Sequence, residues 1–544
     1  MGNMKTILLC AGPLNISNLP TGGKQSNAMI PVNGKPVIGW ILDDLLAKGI
    51  MAATVVLRAE DERLRRFLRW AYAERMAIKT LPLVEPDTIL HSLQAGLGSH
   101  PAGPVRIVLG DTLIRDPFTG TEDFVYTGRV EDSRRWCLVV TDSASIIQEY
   151  IDKQENVTEP HQALAGYYHL QDGALLASCV QRSLAARQRE LSSALRHYGA
   201  SRPIQTRSVQ EWFDFGHIDN LVHARRSLLR PRHFNTLTIN PMLNTITKFS
   251  EHGDKLQNEL DWYLHIPDEL KVLTPRIVNH RQVDGRLQMV QEYYGYPSLA
   301  ELYVYGDLHS DTWVSILHHV MRVHQAFGQH SDRLSTDDIA AMYIEKTWRR
   351  LDLLESQDPG WSKLLAQETI QFNGQSLASV RSLAPAIDQY AEKLIETARV
   401  SIIHGDFCFS NILFDVHHQI IRLVDPRGSF GRPGIYGDGR YDIAKLRHSV
   451  AGLYDFIVAD MFRLERQGNG FHGRIYANGA PQQVRQTLDG LIAAAGYDLS
   501  EIRFIEGLLF ISMLPLHSDT LRRQQMMYLI GLTRLNEVLH AHRD

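Results

Sequence analysis

One short stretch, residues 401–428, constrains the chain most strongly, because apolar strand segments alternate there with polar turns. His404-Gly405-Asp406 interrupts an apolar run, and Asn411 follows Asp406 by five positions. A further apolar segment then leads through a polar turn to a second one, which ends at Asp425. The pattern predicts two short strands with polar turns around them.

Asp406, Asn411 and Asp425 are the residue types that phosphoryl transfer requires. The reaction needs a carboxylate near the attacking hydroxyl and oxygen ligands that hold Mg²⁺ on the ATP phosphates. Asp406 suits the catalytic role, and Asn411 and Asp425 suit metal binding, because Mg²⁺ takes a few hard oxygen ligands. Each residue alone could be an ordinary turn residue. The three in this order, with apolar strands between them, favour a phosphotransferase site.

The same residues resemble the aminoglycoside phosphotransferase and choline kinase family, which has HGD where protein kinases have HRD. The segment GDGRYDIA at 437–444 is similar to a later segment of that family. The resemblance implies a bilobal, protein-kinase-like α+β fold with ATP as the phosphoryl donor. It also implies that Asp442 braces the catalytic loop.

A lysine and a glutamate upstream complete the kinase-like pattern. Lys248 lies in an alternating segment, and Glu259 follows eleven positions later in a helical one. The resemblance implies that Lys248 grips the ATP phosphates and that Glu259 orients it. A solvated surface pair is the alternative. The apolar strand 287–294 resembles the hinge between kinase lobes, so the backbone around Glu292 and Tyr293 is expected to hold adenine.

The first part of the chain shows a different pattern, in which a strand, a loop, a helix and a strand follow one another. Residues 5–10 are a short apolar strand, 11–13 open a loop, an apolar helix begins near Val37, and 53–57 form the next strand. This order predicts a parallel α/β sheet. The loop after the first strand of such a sheet is where ligands bind.

Four segments of this part resemble the sugar-phosphate and phosphocholine nucleotidyltransferases, whose fold is similar to the Rossmann-like GT-A glycosyltransferases. They are LLCAGP at 8–13, MIPVNGKP at 29–36, VRIVLGD at 105–111 and EWFDFG at 211–216. The resemblance implies that Asp111 and Asp214 bind Mg²⁺ and that Cys10 and Gly12 contact the nucleotide. Two such carboxylates can clamp one ion, which neutralises a triphosphate as a phosphate attacks its α-phosphorus.

Weaker matches add further candidates to the nucleotidyltransferase-like site. Thr88 and Ser92 lie in a segment similar to the one that contacts the base. Lys153 is a candidate for the phosphate substrate, with a surface lysine as the alternative. The loop lacks the arginine usual in that family, and the expected lysine position holds Asn27. Lys24, three residues away, is the candidate to replace it, because lysine is a flexible point charge.

The predicted architecture has two domains with a boundary near residue 230. An α/β GT-A-like (Rossmann-like) nucleotidyltransferase domain is expected at 1–230. An α+β bilobal protein-kinase-like domain is expected at 231–544, with an N-lobe at about 231–296 and a C-lobe at about 297–544.

Composition limits the partners of the chain. Lys and Arg number 57 against 61 Asp and Glu, a net charge of −4, so no basic excess indicates nucleic acid. No apolar run reaches the ~18 residues of a membrane helix. The four cysteines are scattered, which is typical of a reducing, cytoplasmic environment. The expected partners are nucleotides and a small-molecule acceptor, and homo-oligomerisation stays open.

Together the two patterns predict consecutive reactions. The second half phosphorylates a small hydroxyl compound with ATP. The first half then couples that phosphate ester to a second nucleoside triphosphate, with CTP favoured, and yields an activated precursor of a capsule or lipopolysaccharide. The alternative is a kinase alone, with a degenerate nucleotidyltransferase-like binding or scaffold domain, and the Asn27 departure motivates it. A third hypothesis is a kinase that acts on a protein or an antibiotic.

Overall fold

The chain divides into two compact units, Met1–Leu228 and Leu229–Asp544. A computed structural model describes most of both. The described residues are 4–12, 26–84, 88–99, 101, 103–130, 133–153, 161–216, 218–228, 235–250, 253–468, 470–477 and 481–541.

The first unit is an α/β structure built on a nine-stranded mixed sheet. Its strands are β1 (Lys5–Leu9), β2 (Pro31–Val32), β3 (Lys35–Pro36), β4 (Ala52–Arg58), β5 (Ala77–Leu83), β6 (Val105–Leu109), β7 (Thr112–Ile114), β8 (Phe124–Val130), β9 (Cys137–Thr141), β10 (Ile147–Asp152), β11 (His161–Leu170), β12 (Gln205–Ser208) and β13 (Trp212–Asp214). Its helices are α1 (Val37–Ala47), α2 (Glu62–Ala71), α3 (Ile89–Leu97), α4 (Gly173–Ala185), α5 (Leu191–Gly199) and α6 (Ile218–Ser227).

The strand order in the large sheet is β10-β9-β11-β6-β1-β4-β5, and β8 pairs with both β11 and β12. Strands β6, β1, β4 and β5 are parallel, whereas β11 runs antiparallel to β6. The predicted α/β architecture of this part is therefore confirmed. Leu9 lies beside Leu109, so the residues after both strands meet at the carboxyl edge, where α/β sheets bind ligands.

Helix α3 packs very closely on the sheet through Gly96. A Cβ atom at this glycine would lie 2.6 Å from Ile7 Cγ2 and 3.2 Å from Val56 Cγ2. Leu90 and Leu93 of the same helix are completely buried. Protein interiors are packed as densely as organic crystals, so even one extra methyl group is felt. The close approach of α3 to β1 and β4 therefore depends on the missing side chain.

Replacing Gly96 with alanine should destabilise the first unit by about 1–3 kcal/mol, because the added methyl overpacks the helix–sheet contact. The matched control is Gly199→Ala in α5, where an added Cβ meets nothing within 4 Å. That change should be neutral or stabilising by up to about 1 kcal/mol, because alanine favours helix. Urea denaturation with hydrogen exchange of β1 measures both. Equal effects would contradict the packing account.

The second unit begins with a four-stranded antiparallel sheet and continues mainly as helices. Its strands are β14 (Asn235–Asn240), β15 (Thr245–Ser250), β16 (Ile277–Val283), β17 (Arg286–Glu292), β18 (Thr369–Phe372), β19 (Gln375–Ala378), β20 (Val400–Ile402), β21 (Ile412–Asp415), β22 (Ile420–Leu423), β23 (Ser429–Phe430), β24 (Arg432–Pro433), β25 (Tyr436–Asp438), β26 (Phe462–Gln467) and β27 (Gly470–Ile475). Its helices are α7 (Gly253–His265), α8 (Asp268–Lys271), α9 (Leu299–Val304), α10 (Ser310–Phe327), α11 (Thr336–Ala340), α12 (Lys346–Gln357), α13 (Pro359–Leu365), α14 (Ala384–Glu396), α15 (Gly439–Val450), α16 (Tyr454–Val458), α17 (Pro481–Ala494), α18 (Leu499–Ser512) and α19 (Leu521–Ala541).

The first sheet of this unit has the order β14-β15-β17-β16, and helix α7 packs on β15 and β17. Strands followed by helices make an α+β arrangement. One turn of π-helix, Ala341–Glu345, joins α11 to α12. Every residue of α15 is buried, so this helix forms the centre of the helical part. Among the described residues, the helices are all too short or too polar to span a bilayer.

Candidate functional site

The β21–β22 hairpin brings Asn411 and Asp425 to the same end of two strands. Ile412 lies opposite Leu423, and the N–H of Val424 donates to the carbonyl of Asn411 at 3.0 Å. Asp425 has a φ of 57°, a left-handed conformation that Asp adopts more readily than most residues. Such conformations cluster at functional sites. The hairpin therefore aligns the two predicted metal ligands.

The Asp406 carboxylate is held on both of its oxygens. The side-chain amide of Asn411 donates to Asp406 Oδ2 at 2.9 Å and to its backbone carbonyl at 2.9 Å. The Lys445 ammonium lies 2.8 Å from Asp406 Oδ1. The Asp406 side chain is still 27% exposed. The predicted catalytic carboxylate is thus fixed in position and remains accessible to a small molecule.

Asp442 fixes the backbone of the loop that carries Asp406. Its carboxylate accepts from the N–H of His404 at 2.7 Å and from the N–H of Gly405 at 2.9 Å. Asp442 is completely buried, and burial raises the pKa of its carboxyl to about 7. The contacts match the bracing role that the family resemblance implies for this residue.

Asp442, Lys445 and Ser449 form one face of helix α15, because positions i, i+3 and i+7 of a helix lie above one another. Each contacts the 404–411 loop at a different point. Lys445 reaches Asp406, and the hydroxyl of Ser449 accepts from the N–H of Phe409 at 3.1 Å. The geometry of the whole loop is therefore set by a single helix.

Buried ion pairs hold helix α15 in place. Arg440 pairs with Asp438 at 2.7 Å at the start of the helix. Arg447, which is fully buried, pairs with Asp489 at 2.8 Å and with Glu506. Breaking a buried pair by removing one partner is strongly destabilising, because a charge is left uncompensated. The helix that positions the loop is therefore rigidly anchored.

Lys248 joins three elements of the second unit. From strand β15 its ammonium lies 2.6 Å from Glu259 Oε1 on helix α7 and 2.5 Å from Asp425 Oδ1. Burial lowers the pKa of Lys248, but the two carboxylates outweigh it and raise that pKa overall. Lys248 and Glu259 thus form a buried ion pair. The hydroxyl of Tyr263 accepts from the N–H of Asp425 at 3.2 Å and fixes this corner further.

The predicted adenine-binding backbone is already paired within the protein. The N–H of Tyr293 donates to the carbonyl of Asn244 at 2.9 Å, and the Asn244 side chain donates to the carbonyl of Tyr293 at 2.9 Å. The N–H of Glu292 donates to the carbonyl of Arg276 at 3.0 Å. Adenine would have to displace Asn244 to bond to the backbone of Tyr293, so the hinge contact stays a prediction.

In the first unit, Asp111 and Asp214 converge at Gly216. Strands β7 and β13 pair antiparallel with Asp214 opposite Thr112, and the N–H of Phe215 donates to the carbonyl of Asp111 at 2.9 Å. A Cβ atom at Gly216 would lie 3.1 Å from Asp111 Oδ2 and 3.3 Å from Asp214 Oδ1. The glycine leaves open the space between two carboxylates that are distant in sequence.

Asn27 lies beside this pair. Its side-chain amide donates to Asp111 Oδ2 at 3.2 Å, and among the described residues no group donates to its buried Oδ1. Cys10 follows β1, where burial first and then the charge of Asp111 raise the pKa of its thiol. Gly12 is exposed. Lys24 lies outside the described residues, so its catalytic role stays a prediction.

The remaining candidates of the first unit lie on its surface or in helix α3. Thr88 directly precedes α3, and its hydroxyl lies 3.0 Å from His91 Nδ1. Ser92 is buried in the first turns of the helix. Lys153 makes an exposed ion pair with Glu190 at 3.1 Å, and such pairs contribute only about 0–1 kcal/mol. No contact joins Lys153 to Asp111 among the described residues, and the roles of these residues stay predictions.

The donor atoms at both candidate sites fit Mg²⁺. Among the described residues, no group of three or more His, Cys, Asp and Glu side chains could hold a metal ion alone. Magnesium in nucleotide sites needs no such cage, because one or two carboxylates suffice beside substrate phosphates and water. Asp425 with Asn411, and Asp111 with Asp214, each supply that smaller set of hard oxygen ligands.

Three functional candidates escaped sequence reasoning: Lys445, Lys346 and Arg427. Lys445 could have been found, because it follows Asp442 by three positions on the same helix. Lys346 lies at the start of α12 and Arg427 just after β22. No sequence spacing links those two, and only the tertiary structure brings them near Asp406.

No family model and no curated protein matches the sequence. Solved structures similar to the N-terminal part of the chain are nucleotidyltransferases. One, from Bacillus anthracis, is provisionally assigned as a glucose-1-phosphate thymidylyltransferase; the match has 19% identity and covers 43% of this chain and 98% of that one, with a TM-score of 0.38.

Two further matches have similar values. A UTP-bound UGPase from Acinetobacter baumannii shares 15% identity over 42% of this chain and 95% of its own, with a TM-score of 0.35. The CTP:phosphocholine cytidylyltransferase from Streptococcus pneumoniae shares 14% sequence identity. The match covers 41% of this chain and 99% of that one, with a TM-score of 0.34. With TM-scores this low, the likeness carries no conclusion about activity, which is inferred below from the residues of this chain.

Replacing Asp442 with alanine should loosen the catalytic loop. The N–H groups of His404 and Gly405 lose their acceptor, and each buried donor left unpaired costs about 1–3 kcal/mol. The control is Asp358→Ala, which removes a half-buried cap of helix α13 and should cost about 1 kcal/mol. Hydrogen exchange at 404–411 and urea denaturation measure both variants. An undisturbed loop in Asp442→Ala would contradict the bracing role.

Proposed function

We propose that the second unit is a small-molecule kinase and that the first unit transfers a nucleotidyl group to the product of that kinase. The observation that carries the proposal is the arrangement around Lys248 and Asp406. The arrangement combines a buried lysine held by a helical glutamate, an aspartate that contacts this lysine, and a braced aspartate–asparagine loop. Phosphoryl transfer to a hydroxyl requires parts of these kinds.

In the kinase reaction, Asp406 accepts the proton of the acceptor hydroxyl as its oxygen attacks the γ-phosphorus of ATP. The bond from that phosphorus to the β–γ bridging oxygen breaks, and ADP leaves. Lys445 and Asn411 keep the carboxylate aimed at the hydroxyl, and such positioning is a large part of phosphoryl-transfer catalysis. Mg²⁺ held by Asn411 and Asp425 would neutralise charge on the phosphates.

Lys248 has to change partner when ATP binds. In the structure its ammonium neutralises Asp425. Asp425 can therefore bind a metal ion only after this ammonium has moved away from it. Glu259 keeps its hold on the lysine at 2.6 Å and stops it from swinging away. The ammonium is then free on one side to bind the phosphates, which is the task of the corresponding lysine in kinases.

The first unit supplies the geometry for the second reaction. Asp111 and Asp214 face one another across Gly216, at the carboxyl edge of the parallel strands. A metal ion clamped there would stabilise charge on a triphosphate while a phosphate ester attacks its α-phosphorus. The new bond joins the ester to the nucleoside monophosphate, and pyrophosphate leaves. CTP is the favoured nucleotide, and the product would serve surface polysaccharide synthesis.

The second candidate is a kinase whose first unit only binds a ligand. Asn27 favours it, because an amide stands where the nucleotidyltransferases resembled by this chain have a lysine. The amide donates to Asp111 and cannot supply the positive charge of an ammonium. Pyrophosphate release by the full chain separates the two candidates.

Asp406→Asn should lower kcat for ATP-dependent phosphorylation by about 10²–10⁴, because an amide cannot accept the hydroxyl proton. Mg²⁺–ATP binding should persist, because Lys248, Asn411 and Asp425 are intact. ADP release across an acceptor panel and ATP titration measure the two effects. Asp311→Asn, at an exposed position in the first turn of α10, should change neither. A fully active Asp406→Asn enzyme would contradict the proposed role.

Asp111→Asn and Asp214→Asn should each strongly reduce the rate of pyrophosphate release and leave ADP formation unchanged. A metal supplies several kcal/mol of charge stabilisation, which corresponds to a loss of about 100-fold or more. The control is Glu149→Gln, an exposed carboxylate on β10. Assays use the phosphorylated acceptor with each nucleoside triphosphate. Pyrophosphate release that survives both changes would refute nucleotidyl transfer at this site.

A further inference from the structure

Four basic side chains interact electrostatically with one another near Asp406. They are Lys346, Arg350, Arg427 and Lys445, here called the cationic cluster. Lys445 pairs with Asp406. None of the other three has a carboxylate oxygen of a described residue within 4.0 Å. The proposed kinase reaction uses Lys445 to position Asp406 and gives the other three no task.

Lys346 and Arg427 converge on the same two side chains. Lys346 Nζ lies 3.3 Å from Met342 Sδ, and a guanidinium nitrogen of Arg427 lies 3.8 Å from the same sulfur. Both cations also lie against the ring of Tyr441, at 5.0 Å and 5.4 Å from its centroid. The Tyr441 hydroxyl is 3.2 Å from Lys346 Nζ. Two basic side chains from distant segments thus share one small region.

Basic side chains outnumber carboxylates in this region. Burial first, and then Arg427, Arg350 and Lys445, lower the pKa of Lys346 well below its ordinary value, whereas Asp406 raises it. Asp406 and Asp442 are the carboxylates that act on Arg427. Lys346 is also 8% exposed. Burying like charges together is costly unless an anion compensates them. The cluster therefore has the electrostatic character of a site for an anion.

The backbone at the cluster is also unusual. Met342 lies within the π-helical turn Ala341–Glu345, and Lys346 follows it directly. Single π-turns within α-helices are rare and occur frequently at functional sites. This is an observation on geometry that is independent of the charges.

The basic groups of the cluster are linked electrostatically to Asp406, the proposed catalytic carboxylate. Lys346 and Arg427 interact electrostatically with Asp406, whereas Lys248 interacts with Asp425 and Glu259. In the proposed reaction, ATP phosphates lie at Lys248 and the acceptor hydroxyl at Asp406. The surplus charge therefore faces the acceptor.

We infer that the acceptor of the proposed kinase is an anionic hydroxyl compound, whose carboxylate or phosphate group is bound by Lys346 and Arg427 while its hydroxyl faces Asp406. This inference rests on the proposed kinase function and names its substrate class. The acceptor oxygen takes the γ-phosphoryl group, its proton passes to Asp406, and ADP leaves. A cationic amino-alcohol such as choline is disfavoured by the same charges.

The test compares acceptors that differ in charge. The full chain with Mg²⁺ and ATP is given glycerate, glycerol phosphate, glycerol or choline, and ADP release and binding by calorimetry are measured. We expect kcat/KM, or the affinity, to be at least 100-fold higher for an anionic probe than for glycerol. Equal or better use of glycerol or choline, or no binding of either anion, overturns the inference.

Variants assign the effect to the cluster. Lys346→Met and Arg427→Gln should each raise KM for the anionic acceptor at least 10-fold, leave KM for ATP unchanged, and narrow the preference for the anion over glycerol. Lys363→Met, at an exposed lysine of α13, is the matched control and should change nothing. A rise in KM for ATP alone would mean that the cluster binds the nucleotide, and it would overturn the inference.

The assays distinguish a failure of the proposed kinase function from a failure of the proposed acceptor class. Phosphorylation of choline or glycerol without any preference for anionic acceptors would support the kinase function and contradict only the proposed acceptor class. Absence of ADP with every probe, together with no Lys248-dependent binding of Mg²⁺–ATP, would remove the kinase and the inference with it. Lys346-dependent binding of an anion that is not phosphorylated would support the charge class and exclude that probe as a substrate.

Discussion

The second unit depends on one buried ammonium group that joins three segments distant in sequence. Lys248 lies in strand β15 of the four-stranded sheet. It contacts Glu259 of helix α7 and Asp425 at the end of the β21–β22 hairpin. Burying a charge is costly unless it is paired. The ion pairs of Lys248 therefore stabilise the relative positions of strand β15, helix α7 and the β21–β22 hairpin. The same contacts hold the two carboxylates close together.

A second constraint is the buried face of helix α15. Asp442, Lys445 and Ser449 hold the backbone of the 404–411 loop and the carboxylate of Asp406. Arg447 anchors the helix by ion pairs that are shielded from solvent. The position of Asp406 is therefore decided by a rigid core helix instead of by the loop itself. This support suits the catalytic role proposed for Asp406, because a group already held in place needs little reorganisation during a reaction.

The sequence predicted those parts of the structure that are encoded locally. Strands β1, β21 and β22 coincide with short apolar runs of the sequence. The α/β architecture of the first unit was predicted from the order strand, loop, helix and strand at its beginning. The pairing of Lys248 with Asp425 and the approach of Lys346 to Arg427 arise from chain segments far apart. No local pattern encodes such contacts, because they depend on how whole elements pack.

The central claim is that one chain uses two triphosphates differently, donating a terminal phosphoryl group from one and a nucleotidyl group from the other. The most direct measurement is a ³¹P NMR time course with Mg²⁺, ATP, CTP and an acceptor that the kinase uses. The account predicts that ADP and the phosphate ester appear first and that pyrophosphate follows in an amount equal to the ester consumed. Absence of both ADP and pyrophosphate, or pyrophosphate formed without ATP or acceptor, would contradict it.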